Sequence, residues 1–176
     1  DGLHHCDSPH LALVEMLRVA RKSVIVFESR GSLLMRLANR LGLVPAYEVE
    51  AVVASGLTHG GVNNTEIPNF VYRWTEREFE KTVQSFCPTG PCRFRYFYNM
   101  NLPNQRVAMS GNRIKAAAVQ LALPFAKLLG WLAPSQSNSF CMVARRPGDA
   151  ELWPWIEARG GVRGFRRSYA SNFTGG

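Results

Sequence analysis

Ser23-Val24-Ile25-Val26-Phe27-Glu28 is the stretch on which the fold turns. It is short, almost wholly apolar and does not alternate, the composition of a parallel strand covered on both faces. Before it, Ser8-Pro9 opens a helix that runs to about Arg21, and Asp1-Gly2-Leu3-His4-His5 reads as the exit of an earlier strand. Strand exit, helix and buried strand make half of a parallel α/β sheet. Neither an initiator Met nor an earlier strand precedes them, so the chain is expected to be the C-terminal portion of a larger domain.

Working outward, Asp7 or Ser8 caps the first helix, with Pro9 at its first position, where a missing N–H costs nothing. Glu28-Ser29-Arg30 ends the strand abruptly, and polar groups at strand C-termini line the ligand crevice of open α/β sheets. Residues 32–41 read as a second helix stopped by Gly42. Residues 45–69 are the least regular, a long loop with a turn of helix near 47–53, the kind of segment that serves as a lid. Thr75-Glu76-Arg77-Glu78 is a capping box opening a helix to about Phe86, with Phe79 and Val83 inward. Residues 92–98 alternate as an antiparallel or edge strand. Residues 113–130 are helical with a bend expected at Pro124. Residues 139–144 form another apolar strand, an antiparallel partner for 92–98. Beyond Pro147, Trp153-Pro154-Trp155 is expected to dock on the body and 168–176 to fray.

The bulk properties describe one globular domain. Apolar residues make up 46% of the chain and charged residues 19%, enough to form a core. No run is long and apolar enough to span a bilayer. The formal charge is +8, from 21 basic and 13 acidic residues, with much of the excess late in the chain. That excess reads as a solvated tail or as a patch for an anionic partner. No RNA-binding motif with interleaved aromatics supports nucleic acid. Cys6, Cys87, Cys92 and Cys141 lack paired close spacings, so a zinc ribbon is not indicated, and free thiols in a cytoplasmic protein are expected. Asn172-Phe173-Thr174 matches a glycosylation sequon that matters only in a secreted chain.

Asp1-Gly2-Leu3-His4-His5, the Pro9 helix ending Glu15-Met16-Leu17-Arg18-Val19-Ala20-Arg21, and Val24-Ile25-Val26-Phe27-Glu28 together resemble class I S-adenosylmethionine-dependent methyltransferases, in the broad group that includes the ubiquinone-biosynthesis type. The resemblance covers Asp1 to about Arg30 and continues through the two later strands, which look like the closing antiparallel hairpin of that sheet. It implies an α/β fold, the C-terminal half of a Rossmann-like sheet with helical insertions. Residues 1–146 would be the C-terminal part of a methyltransferase domain, with a 45–74 lid insertion and a 113–130 helical insertion. Residues 147–176 would be a basic, partly disordered extension. The implied cofactor is S-adenosylmethionine and the implied partner a small-molecule acceptor. This family's Gly-rich turn and its ribose-binding acidic residue are both absent from the sequence, and Gly60-Gly61 does not follow a buried strand. The missing N-terminal half of the domain would carry them, and the chain alone is expected to bind the cofactor poorly.

Methyl transfer is an in-line displacement with a good leaving group, so the protein must align the acceptor, exclude water and remove a proton. His4 and His5 are the candidate bases. Adjacent histidines at a strand end point apart, so one at most is expected to face the acceptor. Asp1 is the candidate for contact with the cofactor. Glu28, Arg30, Asn64 and Arg73 are candidates for binding the acceptor, with Asn63, Tyr72 and Trp74 roofing its pocket or simply packing. Two rivals stand beside this reading. One is a metal-dependent hydrolase using His4, His5, Asp7 and His10, although H-H-C-D-x-x-H is not the familiar H-x-H-x-D-H run. The other is a non-catalytic basic binding module.

Overall fold

The computed structural model describes residues 2–102, 113–148 and 150–174. They form a mixed α/β structure built on a three-stranded antiparallel sheet, with a separate two-stranded hairpin. The sheet contains β1 (Ser23–Ser29), β2 (Arg93–Asn99) and β3 (Ser139–Arg145) in the order β1-β3-β2. Ser23 lies opposite Arg145 and Ser29 opposite Ser139, and Arg93 and Asn99 meet the same two residues from the other side. β1 and β2 therefore run in the same direction, with β3 reversed between them. The sequence is right about the β2–β3 pairing and the helical excursion between them.

The parallel sheet expected around β1 is not present among the described residues. β1 pairs with one antiparallel neighbour, and its burial alternates strictly. Val24, Val26 and Glu28 point inward, while Ile25 and Phe27 are 55% and 63% exposed. An unbroken apolar run cannot by itself distinguish a strand covered on both faces from one with a bare apolar face. Phe97 of β2 lies on the bare side too, at 60% exposure.

The covered face is the core. Helix α1 (Pro9–Val19) contributes Leu13 and Leu17, and helix α4 (Glu76–Phe86) contributes Phe79 and Val83. Ser8 caps α1 by accepting from the Leu11 N–H. Thr75 and Glu78 close the expected capping box on α4. Between these lie α2 (Leu33–Arg40), capped by Ser32, and α3 (Val49–Ala54), the turn of helix expected in the long loop. Helix α5 (Arg113–Leu132) continues through Pro124. No helix among the described residues is long and apolar enough to cross a membrane.

The extension expected to be partly disordered carries secondary structure over its described part. β4 (Ile156–Arg159) and β5 (Val162–Phe165) form the hairpin, and α6 (Arg167–Thr174) follows. The Trp153 N–H donates to Thr89 O, and the Trp153 and Trp155 rings stack at 5.2 Å.

Past the end of β1, Trp74 bridges to Arg30 on the strand's outer edge, exchanging hydrogen bonds with Ser29 and Gly31. Arg30 then ties three elements together. Its guanidinium meets Glu76 Oε1 at 2.6 Å, donates to Ser135 O and lies over the Tyr98 and Phe140 rings. Burial pushes the Glu76 carboxyl up. The helix N-terminus, Arg30 and the Tyr98 hydroxyl outweigh it and hold the pKa below the ordinary carboxylate value. Because the folded pKa is depressed, the stabilisation is fully present above the unfolded value and is lost as pH falls through the folded one. We expect the melting temperature to fall below about pH 4.5, and to fall less steeply there in Glu76→Gln, as checked by calorimetry across pH 2.5–7 at about constant ionic strength.

Candidate functional site

The site forms where the inward face of β1 ends. Strand alternation that buries Val24 and Val26 buries Glu28 as well, at 1% exposure. A carboxylate so placed needs donors, and the N-terminal turn supplies them. Gly2 N and Leu3 N both donate to Glu28 Oε1 at 2.7 Å, and His4 Nδ1 meets Oε2 at 3.0 Å. Burial pushes the Glu28 carboxyl up, but these three donors hold it below its ordinary value. The Glu28 hydrogen bond raises His4 above the ordinary imidazole value against the opposing effect of burial.

Leu3–His5 is a 3-10 turn, not the exit of a strand. Glu28 accepts two successive N–H groups at one oxygen, and this gathers the backbone into a turn. The expected divergence of His4 and His5 is corrected with it. Consecutive strand residues face opposite ways, whereas here the rings lie 4.4 Å apart and both Nε2 atoms aim at one carboxylate. That carboxylate belongs to Glu48. Its oxygens lie 3.5 Å from His4 Nε2 and 3.5 Å from His5 Nε2. His5 Nδ1 is held at 2.8 Å by the amide of Asn69, itself 1% exposed.

Glu48 and Asn69 carry no sequence motif that marks them as site residues. The structure brings them together through a short antiparallel pairing that closes the long loop. Glu48 N donates to Asn69 O and Val71 N to Ala46 O, flanking the Tyr47–Phe70 bridge. The intervening turn depends on Gly61, where a Cβ would lie 1.8 Å from Ile67 O. The one available signal was indirect: an acidic residue and an amide near the two ends of a loop long enough to fold back on itself.

The other expected site residues are placed elsewhere or engaged locally. Arg30 makes the structural tie described above. Arg73 donates to Pro45 O and Val71 O, and burial lowers its pKa. Asn64 adopts a left-handed conformation and accepts from Gly60 N. Asp1 lies outside the described residues. Of the metal set considered from sequence, Asp7 accepts from Asn63 and His10 packs against the Tyr72 and Trp74 rings. Neither joins His4 and His5. All four thiols are free, and burial with the neighbouring Cys87 pushes Cys92 up to about 12. At the opposite end of β1, Arg21, Lys22, Arg145, Arg146 and Arg163 line a groove of about 780 Å³.

Comparison of the chain with known protein families, curated proteins and solved structures found no match.

Glu28 is the group whose removal tests this arrangement. Glu28→Ala strands three donors, one of them on a histidine with a raised pKa. It is expected to destabilise the fold by about 3–5 kcal/mol, the usual cost of breaking a buried charged pair. Urea unfolding reads the loss, and hydrogen exchange should show it concentrated in residues 2–5.

Proposed function

We propose that the chain carries the acceptor side of an S-adenosylmethionine-dependent methyltransferase acting on a small molecule. On this reading the described sheet is the closing part of a Rossmann-like sheet, and the donor's binding elements lie in a preceding half of the domain. The observation that carries it is the buried His4–Glu28 pair at the C-terminal end of β1, the end where open α/β sheets receive their ligands. The sheet lends support. Its antiparallel closing pair is the one the resemblance implies, and apart from the Trp74 bridge no described strand lies along the outer edge of β1. The Ile25 and Phe27 side chains stand bare, as they would where further layers of an α/β sheet pack.

The chemistry asked of these residues is modest. With a hydroxyl acceptor, one of the acceptor types the reading allows, the methyl carbon leaves sulfur as the acceptor's oxygen bonds to it, and the C–S electron pair stays on sulfur as a neutral thioether. The oxygen must be aligned, kept from water and relieved of its proton. The His4–His5–Glu48 cluster is where the hydroxyl meets the protein and gives up that proton. Glu28 on His4 Nδ1 fixes the ring and leaves Nε2 facing the cluster.

In the full-length protein, His4→Ala and His5→Ala are each expected to lower kcat by about 100-fold. The dissociation constant for S-adenosylmethionine should stay within about twofold, because the donor is held elsewhere. Loss of both parameters together, or of neither, overturns the proton-handling role. Preceding sequence with neither a Gly-rich turn after a strand nor an acidic residue closing the next overturns the methyltransferase reading itself.

The basic groove favours a second reading, an anion-binding module without catalysis. It predicts binding of a short RNA or DNA oligonucleotide that weakens steeply with salt, measured by fluorescence anisotropy. Absence of binding at low salt removes it.

A further inference from the structure

We propose that His4, His5 and Glu48 bind a divalent transition-metal ion of the zinc type. The ligand atoms are His4 Nε2, His5 Nε2 and the Glu48 carboxylate, all within 4.8 Å of one another. Glu48 takes the place of Asp7 and His10 of the histidine-rich run, both of which have other partners.

Three features of the geometry point to a cation, the first two of them sharing the His4–Glu48 gap. The first is spacing. Both imidazole-to-carboxylate distances are 3.5 Å, beyond the usual hydrogen-bond length. Ligands at about 2.1 Å around a tetrahedral zinc are about 3.4 Å apart, so each gap, His4 Nε2 to Glu48 Oε1 and His5 Nε2 to Oε2, is as wide as one edge of a coordination shell. The second is an orphaned atom. His4 Nε2 is buried and has no hydrogen-bond partner, although its side chain is only 3% exposed. A polar nitrogen left this way is costly unless something sits on it. The third is the outer support. The remaining ring nitrogen of each histidine is held, His4 Nδ1 by Glu28 and His5 Nδ1 by Asn69. Ligating histidines are oriented by such partners. The Asn69 amide nitrogen faces His5 Nδ1 and donates to Gly60 O at 3.5 Å; ligation through His5 Nε2 calls for this amide to turn over, so that its oxygen accepts from Nδ1–H.

The donor set selects the ion. Two imidazoles and one carboxylate suit Zn²⁺ and its transition-metal neighbours, whereas Mg²⁺ and Ca²⁺ favour oxygen. Glu28 and Glu48 together balance the double positive charge. Three protein ligands leave a coordination position open, and the 46% exposure of the His5 side chain gives an entry path. The role of the ion, unlike its binding, rests on the methyltransferase reading. There the acceptor's hydroxyl would take the open position, be acidified by the cation and lose its proton to solvent past His5.

The test is metal binding by the purified chain, measured without donor or acceptor, so that failure of the methyltransferase reading leaves it intact. Chelator-stripped protein is titrated with Zn²⁺ by calorimetry, and with Co²⁺ by visible absorption. We expect one equivalent bound, with the intense d–d bands of a low-coordinate Co²⁺ site. His5→Ala and Glu48→Gln, both at solvent-accessible positions, should weaken Zn²⁺ binding by at least about tenfold, while circular dichroism stays unchanged. Mg²⁺ in tenfold excess should not compete. Zn²⁺ binding that is absent, or unchanged in both variants because it resides on the thiols, overturns the site.

Discussion

The buried carboxylate of Glu28 is the group on which the functional end of the molecule depends. It sits on the covered face of β1 because the strand's twofold period puts it in line with Val24 and Val26. In that setting a charge survives only with donors around it. Two backbone N–H groups and one imidazole provide them. The bonds shape the 3-10 turn, orient His4 and lower the carboxyl's own pKa. One charged group thus adds a polar anchor to a segment that Leu3 already ties to the core, and makes it a defined surface.

A second charged tie works at the same strand end. Arg30 leaves β1, meets Glu76 in the first turn of α4 and lies over two rings from β2 and β3. Its charge is matched by a carboxylate that already favours a helix N-terminus. The two ties divide the labour. Arg30 and Glu76 hold helix to sheet, and Glu28 holds the turn that bears the candidate chemistry. The long loop then supplies the facing wall, because its two ends pair and set Glu48 and Asn69 side by side.

The sheet is unevenly clothed. One face packs under α1 and α4, and the other presents Ile25, Phe27 and Phe97. This asymmetry explains why β1 reads as a strand covered on both sides when the described residues cover only one. A side chain's hydrophobicity records what a face requires, not which element meets that need.

Elements decided by neighbours in the chain were legible from the residues alone. The Ser8 and Thr75 caps, the inward Phe79 and Val83, the alternation of β2 and the helix in the long loop all follow from spacing and local hydrogen bonding. Glu28 stood out because a polar group ending an apolar strand is chemically conspicuous, and His4 and His5 because adjacent imidazoles are, although the segment that bears them is a turn and not a strand exit. What only the tertiary structure decided are the meetings between distant residues: the antiparallel pairing of β1 with β3, the turn that aims both imidazoles one way, and Glu48 and Asn69 closing over them. Periodicity carries burial along a segment, but it carries no address for the segment's partner. Those addresses come from the packing of the whole, where one buried charge and one closed loop select the arrangement that leaves the fewest polar groups unpaired.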